Sequence, residues 1–386
     1  MNTIEILADL VAFDTTSATS NLALLDYIDQ LVAPYGLVGT RDFAPEGDRA
    51  NYFLRIGPDV DGGVVLCGHT DCVPVTGQPW DTDPFTLIQN GSKLYGRGTC
   101  DMKGFLASVL AHVPQFVEAP LTRPIIFAFT YDEELGTKGG PAAAAALKRL
   151  MPKPSAVIVG EPTLMEVVTD HKGKWAYDIV IDGTDAHSSQ PQNGANTVVA
   201  AARIASHIDD LAIQHRDAAK DPRFDPPYTS FNVAAITGGT AMNIIPRRTE
   251  MMWEYRPVPD DDTPAIGDDV ARYVTETVLP NLRHHTGVGE ITITPREPNV
   301  RALKRETNGP AEQLARMLSG YTGEAQTVAF GTDGGHFQAE GFSTVVCGPG
   351  SIDQAHRPNE WIEISELDRQ DAALLALIDY LSNENA

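Results

Sequence analysis

Residues able to bind a metal ion or move a proton recur at one kind of place in this sequence, just past a short apolar run. VVLCG (64–68) leads into His69-Thr70-Asp71, and PIIFAFT (124–130) into Tyr131-Asp132-Glu133-Glu134. SAVIVG (155–160) leads into Glu161-Pro162-Thr163, and STVVCG (343–348) into Pro349-Gly350 and then His356. Asp101 lies in GRGTCDMKG, the turn before a helical stretch that begins near Phe105. Each has an ordinary explanation alone. A His-x-Asp can be a hydrogen-bonded surface pair, adjacent glutamates suit the first turn of a helix, and Gly-Pro-Gly is a common turn. Together the weighting changes. Two histidines and four carboxylates at one edge of a sheet would repel one another and lose hydration unless cations compensated them. Imidazole and carboxylate donors suit a pair of divalent ions of the zinc, cobalt or manganese group.

Elementary geometry then suggests roles. Residues two apart in an extended segment point the same way, so Asp71 is expected behind His69, taking its second ring N–H and fixing its tautomer. The two oxygens of Asp101 could bridge ions roughly 3.5–4 Å apart. Glu133 and Glu134 are neighbours whose side chains diverge, so one can ligate while the other faces water. A metal lowers the pKa of such a water to about 7, within reach of a glutamate acting as base.

The elements that must position these groups are legible from periodicity. NYFLRIG (51–57) and the runs quoted above are strand-length, and several are rich in β-branched or aromatic residues. Leu24, Leu25, Ile28, Leu31 and Val32 recur at helical steps, as do Phe105, Leu106, Val109, Leu110, Val113 and Phe116. The Ala-rich PAAAAALKRL supplies another helix. Strand–helix alternation with continuous apolar strands predicts an α/β fold with a mainly parallel, doubly wound sheet, which binds ligands beyond the carboxyl ends of its strands. The middle of the chain reads differently. WAYDIVIDG (175–183), NTVVAAARIASHIDDL (196–211), FNVAAITGG (231–239), EMMWEYR (250–256), IGDDVARYVTETVLPNL (266–282) and EITITPR (290–296) follow a βαββαβ order. That order fits a small split-βαβ sheet with helices on one face. STVVCG and the helical LALIDYL near the end return to the first pattern. The expected organisation is a discontinuous catalytic domain, 1–173 and 298–386, interrupted by an inserted α+β lid or dimerisation domain at 174–297.

Composition excludes several classes. The 386 residues are 42% hydrophobic and 21% charged, which fits a globular chain and not a disordered or coiled-coil one. With 29 Lys+Arg against 52 Asp+Glu the formal charge is −23, a field that repels phosphate backbones, so no nucleic-acid partner is expected. No apolar run reaches about 18 residues, so no membrane span is expected. The start, MNTIEILADLVAF, lacks the basic region of a secretory signal, and the four cysteines form no disulfide framework or paired zinc spacing. A cytoplasmic location is the default. GRGTCD begins like a dinucleotide loop but lacks the third glycine and puts Asp101 where a phosphate would be repelled, which argues against a dehydrogenase. His112, His207, His215, His284 and His285 show no partner carboxylate in the sequence pattern and read as surface or satisfied groups. His171 and His336 flank motif-bearing segments.

The combination HTD, GRGTCDMKG, DEELG, GEPT and GPGSIDQAHRPNEW resembles the aminoacylase/carboxypeptidase-type dinuclear metallohydrolases, over essentially the whole chain. The carboxy-terminal stretch favours the branch that acts on acetylornithine. The resemblance implies metal-dependent hydrolysis of a small N-acyl amino acid, with two divalent ions (Zn²⁺ first, Co²⁺ possible). It implies His69 and Glu161 on one ion, Glu134 and His356 on the other, and Asp101 between them, followed by a cis peptide to Met102. Asp71 would orient His69, and Glu133 would be the general acid/base. In the inserted segment, AHSSQP places His187 as an oxyanion-stabilising group, and GGTAMNIIP and WEYR place Asn243 and Arg256 on the substrate carboxylate. A homodimer formed through the lid is implied as well. Sister reactions on succinyl-diaminopimelate or other N-acyl amino acids share the same metal chemistry. A non-catalytic binding protein on this scaffold should have lost a ligand or Glu133, and none is missing.

Overall fold

The β-branched and aromatic runs fold as strands, and the most apolar of them lie at the centre of a sheet. The computed structural model describes residues 1–218 and 220–383. It divides into one unit of Met1–His171 with the segment from Leu303 onward, and a second unit, Lys172–Ala302.

The first unit opens with strands β1 (Thr40–Phe43), β2 (Ala50–Ile56), β3 (Val64–His69), β4 (Ile88–Asn90), β5 (Lys93–Tyr95), β6 (Ile125–Thr130), β7 (Ala156–Val159) and β8 (Val168–His171). After β9 (Trp175–Asp182), β10 (Ser230–Gly238), β11 (Arg248–Arg256) and β12 (Glu290–Pro295) of the second unit, it resumes with β13 (Gln326–Val328), β14 (Thr344–Val346) and β15 (Trp361–Glu363). Its main sheet runs β1-β2-β6-β3-β7-β14-β8-β13. The central pairs β6–β3, β3–β7 and β7–β14 are parallel. Every residue of β3, β6 and β7 is buried, as expected of strands covered on both faces. Helices Thr3–Ala12, Gly104–Ala111 and Ile364–Ser382 contribute to one apolar cluster, and Gly140–Leu150 and Gly334–Ala339 to another. Gly160, just before Glu161, admits the Phe105 ring against the main chain: a Cβ there would meet ring carbons at 2.2 Å. Small β4, β5 and β15 form a separate sheet.

The structure departs from the sequence reading at the margins of this sheet. β2 pairs antiparallel with both β1 and β6. The short strands β1, β8 and β13 were not anticipated; none combines length with a clear apolar signature.

The second unit is an antiparallel sheet, β10-β11-β9-β12. β9 buries alternate residues, Trp175, Tyr177, Ile179 and Ile181, because only one face is covered. That face stacks Tyr177 on Trp253 with ring centroids 4.9 Å apart and packs beneath helix Thr197–Ala218 through Ala200, Ala201, Ile204 and Ile208. The helix runs on beyond position 211 to Ala218. The run expected as one helix over 266–282 instead changes to a wider turn at Val274–Val278 ahead of Pro280, whose nitrogen cannot donate. Among the described residues no helix is long and apolar enough to cross a membrane.

Candidate active site

Adjacent parallel strands end at the same edge, and β3, β6 and β7 are adjacent and parallel. His69 is the last residue of β3, Glu133 and Glu134 open a single 3₁₀ turn after β6, and Glu161 follows β7 by two residues. Asp101 sits in the turn Thr99–Lys103, and the Asp101–Met102 peptide is cis. His356 follows the turn Ile352–Gln354. These side chains converge. Asp101 Oδ1 lies 2.9 Å from His69 Nε2, and its other oxygen, Oδ2, lies 3.4 Å from His356 Nε2. His356 Nε2 is 2.9 Å from Glu134 Oε2, and His69 Nε2 is 3.9 Å from Glu161 Oε1. Ligand atoms of His69, Glu133 and Glu161 lie within 4.8 Å of one another, as do those of His69, Asp101 and Glu134. Asp101 thus faces a different histidine with each oxygen.

Such crowding of carboxylates is electrostatically costly unless positive charge compensates it. Burial, then the charge of Glu161, pushes the Glu133 carboxyl well above its ordinary range, and burial and Asp101 do the same to Glu161. Burial and Asp101 push Glu134 up to about 7 against the opposing pull of His356. Hydrogen bonds to Asp101 and Glu134 push His356 up to about 10. Burial and neighbouring negative charge thus both favour the protonated forms of these carboxyls. Glu134 Oε1 is buried and has no hydrogen-bond partner among the described residues. A buried lone pair beside imidazole and carboxylate donors fits borderline divalent cations.

Asp71 corrects one detail of the sequence reading. The His69 ring nitrogen Nδ1 lies 3.0 Å from the main-chain carbonyl of Asp71, while the carboxylate Oδ1 stands off at 3.5 Å. The carboxylate itself accepts the N–H groups of Glu133 (3.0 Å) and Glu134 (3.3 Å) and the hydroxyl of Ser17 (2.6 Å). Burial works against its ionisation, but His69, Ser17 and the Glu133 amide outweigh it and hold the carboxyl below its usual range. Asp71 therefore ties the end of β3 to the turn after β6. Further supports were missed from sequence. Asp132, in a left-handed conformation (φ 48°), pairs with Arg49 and accepts the Ala18 N–H at 2.8 Å. The Thr137 hydroxyl meets His336 Nε2 at 2.7 Å, and the Thr130 hydroxyl donates to buried Asp333 at 2.6 Å. The DEELG motif marked the first of these stretches, but nothing in it told which polar residue faces which. His171 lies 3.1 Å from the Thr332 hydroxyl. His207 and His215 do meet carboxylates, Asp269 at 2.9 Å and Asp261 at 3.2 Å, from segments distant in sequence. Cys100 is buried with its thiol on the Ser351 carbonyl at 3.2 Å.

The remaining candidates belong to the second unit. His187 is exposed in a loop bridged to Ile244, and its Nδ1 accepts the Ser189 N–H at 3.2 Å. Asn243 is exposed in the facing loop, with its carbonyl accepting the Ser188 N–H at 3.0 Å. Arg256 ends β11, and its Nε donates to Glu254 at 3.1 Å, leaving the terminal nitrogens of the fork outside that bond.

The model of peptidase family M20/M25/M40 matches residues 65–380. The chain belongs to that family. As an M20 protein it is an amide hydrolase whose reaction depends on metal. It is 32% identical over 375 residues to an acetylornithine deacetylase from Myxococcus xanthus, covering 95% of this chain and 94% of the relative. It is 33% identical to one from Proteus mirabilis, covering 94% and 92%. A metallo-carboxypeptidase from Sulfolobus solfataricus shares the M20 fold with a TM-score of 0.74 at 19% identity, over 99% of both chains.

Proposed function

We propose that the protein hydrolyses N2-acetyl-L-ornithine to L-ornithine and acetate, a step that would serve arginine biosynthesis in the cytoplasm. The observation that carries the chemistry is Asp101, set between His69 and His356 with an unpartnered Glu134 oxygen beside them. The choice of substrate is supported by the Myxococcus and Proteus relatives, both named acetylornithine deacetylases. In this reading His69 and Glu161 would hold one divalent ion, Glu134 and His356 the other, and Asp101 both. Zinc is the first candidate and cobalt the second. When bound, such ions supply Lewis-acid polarisation of the acyl oxygen and acidify a water.

The chain's own residues would do the rest. Glu133, buried and held by its amide on Asp71, is the base that takes a proton from the attacking water. The same carboxyl then returns that proton to the departing amine nitrogen. Burial raises its affinity for a proton, which favours its taking one from the water. His187 would stabilise the oxyanion: its Nδ1 is held by the Ser189 main chain and hydroxyl, which leaves Nε2 as the ring nitrogen to face the substrate. Arg256 would pair with the α-carboxylate through its free fork, with Asn243 assisting. We also assign homodimer formation to the second unit, whose sheet ends in the nine-residue edge strand β10.

The test is a panel of acetylornithine, acetylcitrulline, succinyl-diaminopimelate and acetylmethionine, assayed with added Zn²⁺ or Co²⁺ and with a chelator. Acetylornithine should be turned over with the highest kcat/KM, and the chelator should abolish it. A higher kcat/KM on another member would reassign the substrate. Undiminished activity in chelator would remove the metal chemistry.

A further inference from the structure

Glu360 lies just before β15 and is buried to 1% exposure. Its carboxylate accepts four hydrogen bonds. Oε2 takes Arg97 Nη1 at 2.6 Å and the Gly98 N–H at 3.0 Å, and Oε1 takes the N–H groups of Cys100 at 2.9 Å and Asp101 at 3.1 Å. All four donors belong to Arg97–Asp101, the segment that presents Asp101. The Glu360 carbonyl accepts the Gly96 N–H as well, at 3.0 Å. Arg97 reaches onward: its Nη2 donates to Gln78 Oε1 at 2.5 Å, and Gln78 Nε2 donates to the main-chain carbonyl of His356 at 3.0 Å. A buried ion pair alone would need only the guanidinium. Here three main-chain amides, one of them Asp101's own, are turned onto the same carboxylate, which fixes the backbone from which Asp101 projects.

We propose that Glu360 is a positioning residue that holds Asp101 between His69 and His356, and that Arg97 and Gln78 extend the same hold to His356. This rests on reading Asp101 as the shared ligand of the metal centre. An amide in place of the Glu360 carboxylate would turn an NH₂ toward two donors and open the turn. Outer groups that orient ligands typically contribute about 10–100-fold in metal affinity.

The experiment measures Co²⁺ dissociation constants and the visible absorption of the Co²⁺ form for wild type, Glu360→Gln, Arg97→Lys, Gln78→Ala and Asp101→Asn. Circular dichroism of each metal-free protein checks the fold. Glu360→Gln should bind Co²⁺ about 10–100-fold more weakly with an altered spectrum, Arg97→Lys should also lose affinity, and Gln78→Ala should lose less than about tenfold. A folded Glu360→Gln with wild-type affinity and spectrum overturns the proposal. If that variant does not fold, wild-type affinity and spectrum in both Arg97→Lys and Gln78→Ala overturn it instead. Asp101→Asn separates the two levels. Should it also keep wild-type binding, the assignment of the metal centre fails; should it alone lose binding, only the role of Glu360 does.

Discussion

The first unit hides most of its candidate groups, with His356 the exposed exception, while the second leaves His187 and Asn243 in the open. His69, Asp71, Asp101, Glu133 and Glu161 are all buried, and each is tied by hydrogen bonds or neighbouring charge to others of the set. In the second unit the buried face is made of Trp175, Tyr177, Trp253 and Tyr255, and His187 and Asn243 stand exposed on loops. The difference separates two ways of making chemistry. Desolvated groups have their proton affinities set in advance by their neighbours, at a cost that the fold around them must offset. Exposed groups on loops beside an aromatic sheet act by being placed.

The largest expected effect follows from the buried side. Glu133→Ala should lower kcat by about a thousandfold or more while metal content, measured by atomic absorption, stays at wild-type level. An active Glu133→Ala protein would mean that burial of this carboxyl has no catalytic purpose. On the exposed side, His187→Ala should lower kcat by about a hundredfold, with metal content and Tm unchanged. A fall in metal content would blur the division between the units.

The pH dependence of stability sharpens it further. In metal-free protein Glu134 is raised from 4.5 to about 7, Asp333 from 3.8 to about 6 and His356 from 6.5 to about 10. Each binds its proton more tightly folded than unfolded, so the stability they contribute is complete below the unfolded values and is lost as pH rises through the folded ones. The metal-free Tm should therefore fall by several degrees between about pH 5 and pH 8. Saturating Zn²⁺, which would take the place of the protons on Glu134 and His356, should flatten the slope. A Tm of the metal-free protein that rises across this range would contradict the electrostatic account. The smallest effect is a control. Ile179→Val, within the covered face of β9, should cost about 1 kcal/mol by denaturant unfolding and leave Co²⁺ affinity unchanged.

The sequence carried the centre of the fold well, and its edges poorly. VVLCG, PIIFAFT and SAVIVG are apolar throughout because both of their faces are covered, a signal that needs no partner to be read. The same three strand ends exposed His69, Glu133, Glu134 and Glu161 as a group. What stayed hidden depends on long-range pairing. The antiparallel direction of β2 is not written in its composition, and Asp269 beside His207 lies 62 positions away. Ser17 and Arg49 look like ordinary loop residues until Asp71 and Asp132 are placed against them. For Asp71, alternation along an extended segment correctly put it next to His69 but could not tell which of its oxygens would receive the ring.

The reactive cluster draws its members from positions as far apart as His69 and His356. A ribosome must thus add every residue between these two positions before the cluster can assemble. Until His356 has been made, the set proposed to hold the ions lacks one of its two imidazoles.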